Sequence, residues 1–113
     1  MARRVRFHDD FRRDLQGQVD WLARHADPSW VDRLEAELGR VIDLLGSYPA
    51  AGTLAERRGS IALRRVVFPR TPYIAWYVYD DRSRRGDIWL VRLFHSRQRR
   101  PRPNPSLWLS ERP

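Results

Sequence analysis

A chain of 113 residues, 42% hydrophobic and 32% charged, has the make-up of one globular domain. It holds no cysteine, which excludes disulfides, thiolate metal sites and a thiol nucleophile, and no apolar run approaches the ~20 residues of a membrane span. The formal net charge is +8, every one of the 22 basic residues is Arg, and the excess lies wholly in residues 51–113, where 14 Arg face 5 acidic residues, against 8 and 9 in residues 1–50.

Such a half favours a polyanion or an acidic protein partner. The N-terminus is basic at Arg3, Arg4 and Arg6 but no apolar stretch follows, so a secretory signal is not expected and the chain reads as cytoplasmic.

Along the chain, Val5 and Phe7 alternate with Arg4, Arg6 and His8, which predicts a strand over residues 3–8. Asp9 or Asp10 then caps a helix whose stripe is Phe11, Leu15, Val19 and Leu22, with Trp21 beside it and an end near His25. Asp27 as N-cap and Pro28 in the first turn open a second helix with the stripe Val31, Leu34, Leu38, Val41, Ile42 and Leu45. Gly46 offers a C-cap, Pro49 stops the helix, and Gly39 inside it would fit close packing of the first helix. The short link makes the two helices an antiparallel hairpin.

Residues 50–59 read as a loop. Three strands follow, over residues 61–68, 73–79 and 87–95, joined by Pro69-Arg70-Thr71-Pro72 and by the polar residues 80–86. The last two are apolar on both faces and belong at the centre of a sheet. The expected class is therefore α+β, with an N-terminal strand, a helix hairpin and a three-stranded antiparallel meander packed on the helices as one sheet. Residues 1–98 form the single domain, and residues 99–113 form an Arg- and Pro-rich tail interrupted by Leu107-Trp108-Leu109.

The candidates for chemistry are few. His8, His25 and His95 lack metal-ligand spacing, and the six glycines form no phosphate loop. Ser96 follows His95, and strand neighbours point to opposite faces, which disfavours a dyad. The positive signal is arginine on a sheet. Strict alternation puts Arg65 with Ile61, Leu63 and Val67, and Arg64 on the other face. It puts Arg92 with Ile88, Leu90 and Phe94. It also sets Ile74, Trp76 and Val78 under the helices and Tyr73, Tyr77 and Tyr79 outward. Arginines and aromatic rings on one outer face can hold phosphates and stack bases; paired with carboxylates, the same arginines are merely structural.

Several local patterns are similar to one family. They are Phe11-Arg12-Arg13-Asp14-Leu15 in the first helix, Asp27-Pro28 opening the second, and Leu44-Leu45-Gly46-Ser47-Tyr48-Pro49-Ala50-Ala51-Gly52 at its exit. Leu63-Arg64-Arg65 and Tyr73-Ile74-Ala75-Trp76-Tyr77 follow on the strands, and Val91-Arg92-Leu93-Phe94-His95-Ser96-Arg97-Gln98 at the end. In this order and spacing, over residues 3–98, the chain resembles the RelE/ParE superfamily of type II toxin–antitoxin toxins.

The resemblance implies a cognate acidic antitoxin and no cofactor or metal. It also implies one of two activities. RelE-like members cut mRNA on the ribosome with Arg, Lys, His and a late Tyr; ParE-like members inhibit DNA gyrase. Here Ile74 stands where RelE-like enzymes often have Arg, no Tyr follows Tyr79, and there is no Lys. The expectation is ParE-like, with no catalytic residue. The alternative is an mRNA endonuclease using Arg65, Arg92, His95 and Arg97, and a third reading is a non-toxic nucleic-acid-binding module. Arg64, Arg92, His95, Arg97, Arg99 and Arg100 are the candidates for gripping the target. Tyr73, Tyr77, Tyr79, Trp89 and Trp108 are those for the antitoxin.

Overall fold

The computed structural model describes residues 2–83, 85–98 and 102–103. In chain order it contains β1 (Val5–Phe7), α1 (Asp9–His25), α2 (Ser29–Ser47), a 3-10 turn (Pro49–Ala51), β2 (Thr53–Arg58), β3 (Ile61–Val67), β4 (Tyr73–Asp80) and β5 (Ile88–His95). One sheet runs β1-β5-β4-β3-β2. β2 to β5 form an antiparallel meander, and β1 joins β5 in parallel, with Val5 opposite Ile88 and Phe7 opposite Leu90. β4 and β5 are interior strands, as their two apolar faces require.

The helices begin slightly differently from the sequence reading. His8, not Asp9 or Asp10, is the N-cap of α1, its Nδ1 accepting the Asp10 N–H at 3.1 Å. The two aspartates fill the first turn, where carboxylates suit the positive helix end. At α2 the Asp27 carboxylate accepts the Ser29 N–H at 2.8 Å, a bond that lowers its pKa, and Pro28 takes up helical angles. Gly46 is not a C-cap: α2 continues through Ser47, and the Gly46 carbonyl accepts the Arg3 N–H at 2.8 Å. Gly39 is exposed with open space around it, so close helix packing does not explain it.

Residues 53–58 form an edge strand where a loop was expected. Thr-Leu-Ala-Glu-Arg-Arg carries few β-formers, and it pairs through a bulge between Leu54 and Glu56. The meander therefore has four strands. Gly59 makes the β2–β3 turn with φ of 60°, a conformation other residues resist.

The main core joins helix to sheet. Phe11, Leu22, Leu34, Leu38, Val41 and Leu45 pack with Ala62, Val66, Tyr73, Ala75, Tyr77, Tyr79, Ile88, Leu90 and Leu93, and Phe7, Leu15 and Val19 line it in part. The expected facing of β4 is inverted: the tyrosines lie under the helices, and Trp76 and Val78 lie on the opposite, outer face with Leu63, Trp89, Val91 and Phe94. Ile74 is also buried, and alternation sets it on the Trp76 side. Tyr77 and Tyr79 can face inward because their hydroxyls find partners there. Tyr77 Oη donates to the Pro49 carbonyl at 2.6 Å and accepts the Gly52 N–H at 2.9 Å, while Tyr79 Oη accepts from Arg64 Nε at 3.1 Å. Burial of Tyr77 raises its pKa to about 12.

Candidate functional site

The C-terminal end of β5 and the turn after it carry three of the candidate residues, Arg92, His95 and Arg97. A bulge at Val91, where Trp76 pairs with Arg92 but Tyr77 with Leu90, switches the facing of the strand. Ile88 and Leu90 therefore point to the helices and Arg92 and Phe94 outward, which corrects the uniform alternation expected for Ile88, Leu90, Arg92 and Phe94.

Beyond the bulge β5 keeps β4 but has no strand on its β1 side, because β1 ends at Phe7 and His8 makes the last bond, N–H to Leu90 carbonyl at 2.9 Å. Asp14 of α1 takes over the bare edge. Its carboxylate accepts the Leu93 N–H at 3.0 Å and two bonds from Arg92, Nε at 2.7 Å and an outer guanidinium nitrogen at 3.2 Å. The Arg92 guanidinium also lies 4.7 Å from the Phe94 ring centre. A bidentate, half-buried pair of this kind fixes the side chain.

His95 closes the strand in a tight turn. Its Nδ1 accepts the Arg97 N–H at 3.1 Å, its N–H donates to Gln98 Oε1 at 2.6 Å, and its ring meets Tyr73 edge-on at 5.5 Å. With Nδ1 an acceptor, the neutral ring carries its proton on Nε2. Tyr73 belongs to the helix-side core, so His95 stands on the helix side, and Arg97 is exposed on the turn beyond it. Arg65 is exposed on the outer face, in one row with Trp76 and Arg92. Arg65 thus stands on the face opposite His95, while the Arg92 guanidinium sits at the β5 edge, held to Asp14 of α1.

Arg64 points inward. It bonds Tyr79 and the Gly52 carbonyl (2.9 Å), bracing the chain where it enters β2. Gly52 is required there, since a Cβ would stand 2.5 Å from the Arg65 carbonyl oxygen and 2.8 Å from Tyr77 Oη. The surfaces of Tyr73, Tyr77, Tyr79 and Trp89 are consumed by packing, with exposures of 2%, 0%, 4% and 8%, and offer a partner almost nothing. Arg99, Arg100 and Trp108 lie outside the described residues.

Three features escaped the sequence reading. Asp14 carries the brace on Arg92. Glu37, 1% exposed on α2, accepts from Thr71 Oγ1 at 2.5 Å and the Arg70 N–H at 2.8 Å, tying the β3–β4 turn to the helix. An open cleft of about 550 Å³ beside the outer edge of β1 is lined by Val5, Arg6, Phe7, Asp9, Arg12 and Trp89. There Arg6 lies over the Trp89 ring at 4.7 Å and Arg12 over the Phe7 ring at 5.7 Å. Spacing alone signals none of these, since each joins distant parts of the chain. Among the described residues no group of three His, Asp or Glu stands placed for a metal ion, and no helix is long and apolar enough to cross a membrane.

Comparison with known proteins gives a consistent picture. A family model described as the ParE toxin of the type II toxin–antitoxin system, parDE, matches residues 5–100. A chromosomal ParDE toxin–antitoxin system from P. aeruginosa contains a chain that superposes with a TM-score of 0.61 at 14% identity, covering 83% of this chain and 96% of that one. The archaeal RelE–RelB complex from Pyrococcus horikoshii OT3 gives a TM-score of 0.61 at 16% identity, covering 88% of this chain and 100% of its own. At such identities the likeness is one of fold. No curated protein sequence matches the chain significantly.

Proposed function

This chain belongs to the ParE toxin family of type II toxin–antitoxin systems, and on that premise we propose that it inhibits DNA gyrase by protein–protein contact and is neutralised by a cognate acidic antitoxin. The observation that supports the non-enzymatic part is that the candidate groups are already engaged or apart: His95 Nδ1 accepts the Arg97 N–H, the Arg92 guanidinium is held by Asp14 of α1, and Arg65 lies on the outer face of the sheet. General acid–base cleavage needs such groups within hydrogen-bond reach of one phosphate and one hydroxyl.

Support for the antitoxin comes from charge. Residues 51–113 carry the whole positive excess, and the cleft beside β1 adds two arginines laid on aromatic rings. An acidic segment would be steered there, charge raising the association rate more than the lifetime. Arg97, Arg99 and Arg100, at and beyond the end of β5, are the proposed grip on gyrase or its DNA.

The test is a supercoiling assay with purified gyrase beside a ribosome-bound mRNA cleavage assay. Inhibition of supercoiling with intact mRNA supports the proposal; cleaved mRNA with unaffected supercoiling overturns it. Salt-steep binding to any nucleic acid, with neither activity, identifies a plain binding module.

A further inference from the structure

Three of the five large apolar side chains exposed among the described residues gather where the end of α2 meets the end of β3. Leu44 and Tyr48 stand one turn apart on α2, 43% and 67% exposed, and Val67, 62% exposed, closes β3. Leu44 and Val67 flank a groove of about 360 Å³ between helix and strand, with Val41, Val66 and Pro69 along it. A second hollow of about 330 Å³ continues along α2 to Asp32 and Arg33, and Arg40 and Arg70 border both. From Asp32 to Leu44 the helix rises about 18 Å, the length of about five residues of extended chain.

The groove also has an open backbone edge. β2 begins at Thr53, opposite Arg65, so β3 runs on past it through Val66 and Val67. The Phe68 N–H bonds the Tyr73 carbonyl, and alternation therefore turns the Val67 N–H and carbonyl away from β4, to a side where no described strand lies. Free charge lines the mouth. Arg6, Arg57, Arg58, Arg92 and Arg102 are each paired with a carboxylate, whereas Arg33, Arg40 and Arg70 form no salt bridge among the described residues. Of the two acidic groups along the groove, Asp32 and Glu37, the second is buried and spent on Thr71 and the Arg70 N–H.

These features select the occupant. A second copy would bring a net charge of +8 against +8. A nucleic acid strand would find aliphatic walls, since none of the described residues lining the groove is aromatic and able to stack a base. Aliphatic walls, an open strand edge and unpaired guanidiniums fit an extended peptide that alternates aliphatic and acidic side chains. We propose, on the premise of an acidic antitoxin, that this groove seats one such segment of it. The segment's backbone bonds Val67, its aliphatic side chains lie between Leu44 and Val66, and its carboxylates meet Arg40 and Arg70. In the cleft beside β1, by contrast, the guanidiniums lie over rings and Arg6 is held by Asp87, so that cleft steers while this groove anchors.

The test uses the intact chain and the acidic protein encoded in the neighbouring reading frame, with binding rates and relief of growth arrest as readouts. Leu44→Asp with Val67→Asp, both at exposed positions, should keep a parent-like melt yet release the antitoxin about 100-fold faster, so that co-expression no longer rescues growth. Arg40→Glu with Arg70→Glu should slow association about tenfold at low salt, and high salt should erase the difference. Parent-like rates in both double variants overturn this inference and leave the antitoxin reading standing. A parent chain that the neighbouring acidic protein neither binds nor neutralises overturns that reading, and this one with it. A dimer of the isolated chain that Val67→Asp disperses assigns the groove to a second copy and overturns the inference as well.

Discussion

Asp14→Ala removes three bonds at once, and the structure sets the size of the loss. The Leu93 N–H at the bare edge of β5 loses its acceptor, which costs about 1–3 kcal/mol where water cannot replace it fully. The pair with Arg92 is partly shielded, the two side chains being 32% and 18% exposed, and contributes about 1 kcal/mol more. The sum, about 2–4 kcal/mol, corresponds to a melting temperature lower by about 10–20 °C for a domain of this size. Arg92→Ala should cost less, about 1 kcal/mol, because Asp14 keeps the Leu93 N–H. Asp14→Asn should fall between, since an amide oxygen can still accept that bond. Denaturant melts of the two alanine variants and of the double variant give the coupling, expected near 1 kcal/mol. Reasoning from the bare edge fails if Asp14→Ala costs under about half a kcal/mol, or if Asp14→Ala and Arg92→Ala cost the same.

Gly52→Ala should destabilise strongly, by about 2 kcal/mol or more, because the new methyl meets the Arg65 backbone; a melt within half a kcal/mol of the parent shows that the loop can yield. Leu38→Ala opens the helix–sheet core and should cost about 2–5 kcal/mol in the same measurement. Tyr77 has a folded pKa of about 12 against an ordinary 10, so the folded state holds its proton longer than the unfolded state. That stabilisation is complete below pH about 10 and is lost as pH rises toward 12, a fall of order 3 kcal/mol that Tyr77→Phe should reduce in alkaline melts. On the gyrase reading, His95→Ala should leave growth arrest largely intact, while charge reversal at Arg97, Arg99 and Arg100 should weaken it. A folded, antitoxin-binding His95→Ala chain that no longer arrests growth would point to the endonuclease, where loss of an acid–base group typically costs ~100–10,000-fold.

The two helices and β3 to β5 were legible because their apolar residues repeat at helical or strand periods. β2 was not, because Glu56, Arg57 and Arg58 suit an exposed edge and carry no apolar signal. The facing of β4 was misread for a different reason. Both of its faces are apolar, and what decides between them is where the tyrosine hydroxyls find Pro49, Gly52 and Arg64, none of them predictable from alternation. One extra residue at Val91 then reversed the second half of β5 and took Arg92 to the face opposite Leu90. For the candidate site, the sequence named Arg92, His95 and Arg97 but not Asp14, whose partners lie 78 and 79 positions away.

The parallel union of β1 with β5 has a consequence for synthesis. Val5–Phe7 emerges first from the ribosome but has no strand to join until Ile88–His95 has been made. Until then α1 lacks Ile88, Leu90 and Leu93 beneath it, and Asp14 has neither Arg92 nor Leu93 to hold. A nascent chain interrupted before Ile88 therefore carries an open apolar flank on α1, and both the β1 pairing and the Asp14 brace are completed only once β5 has been made.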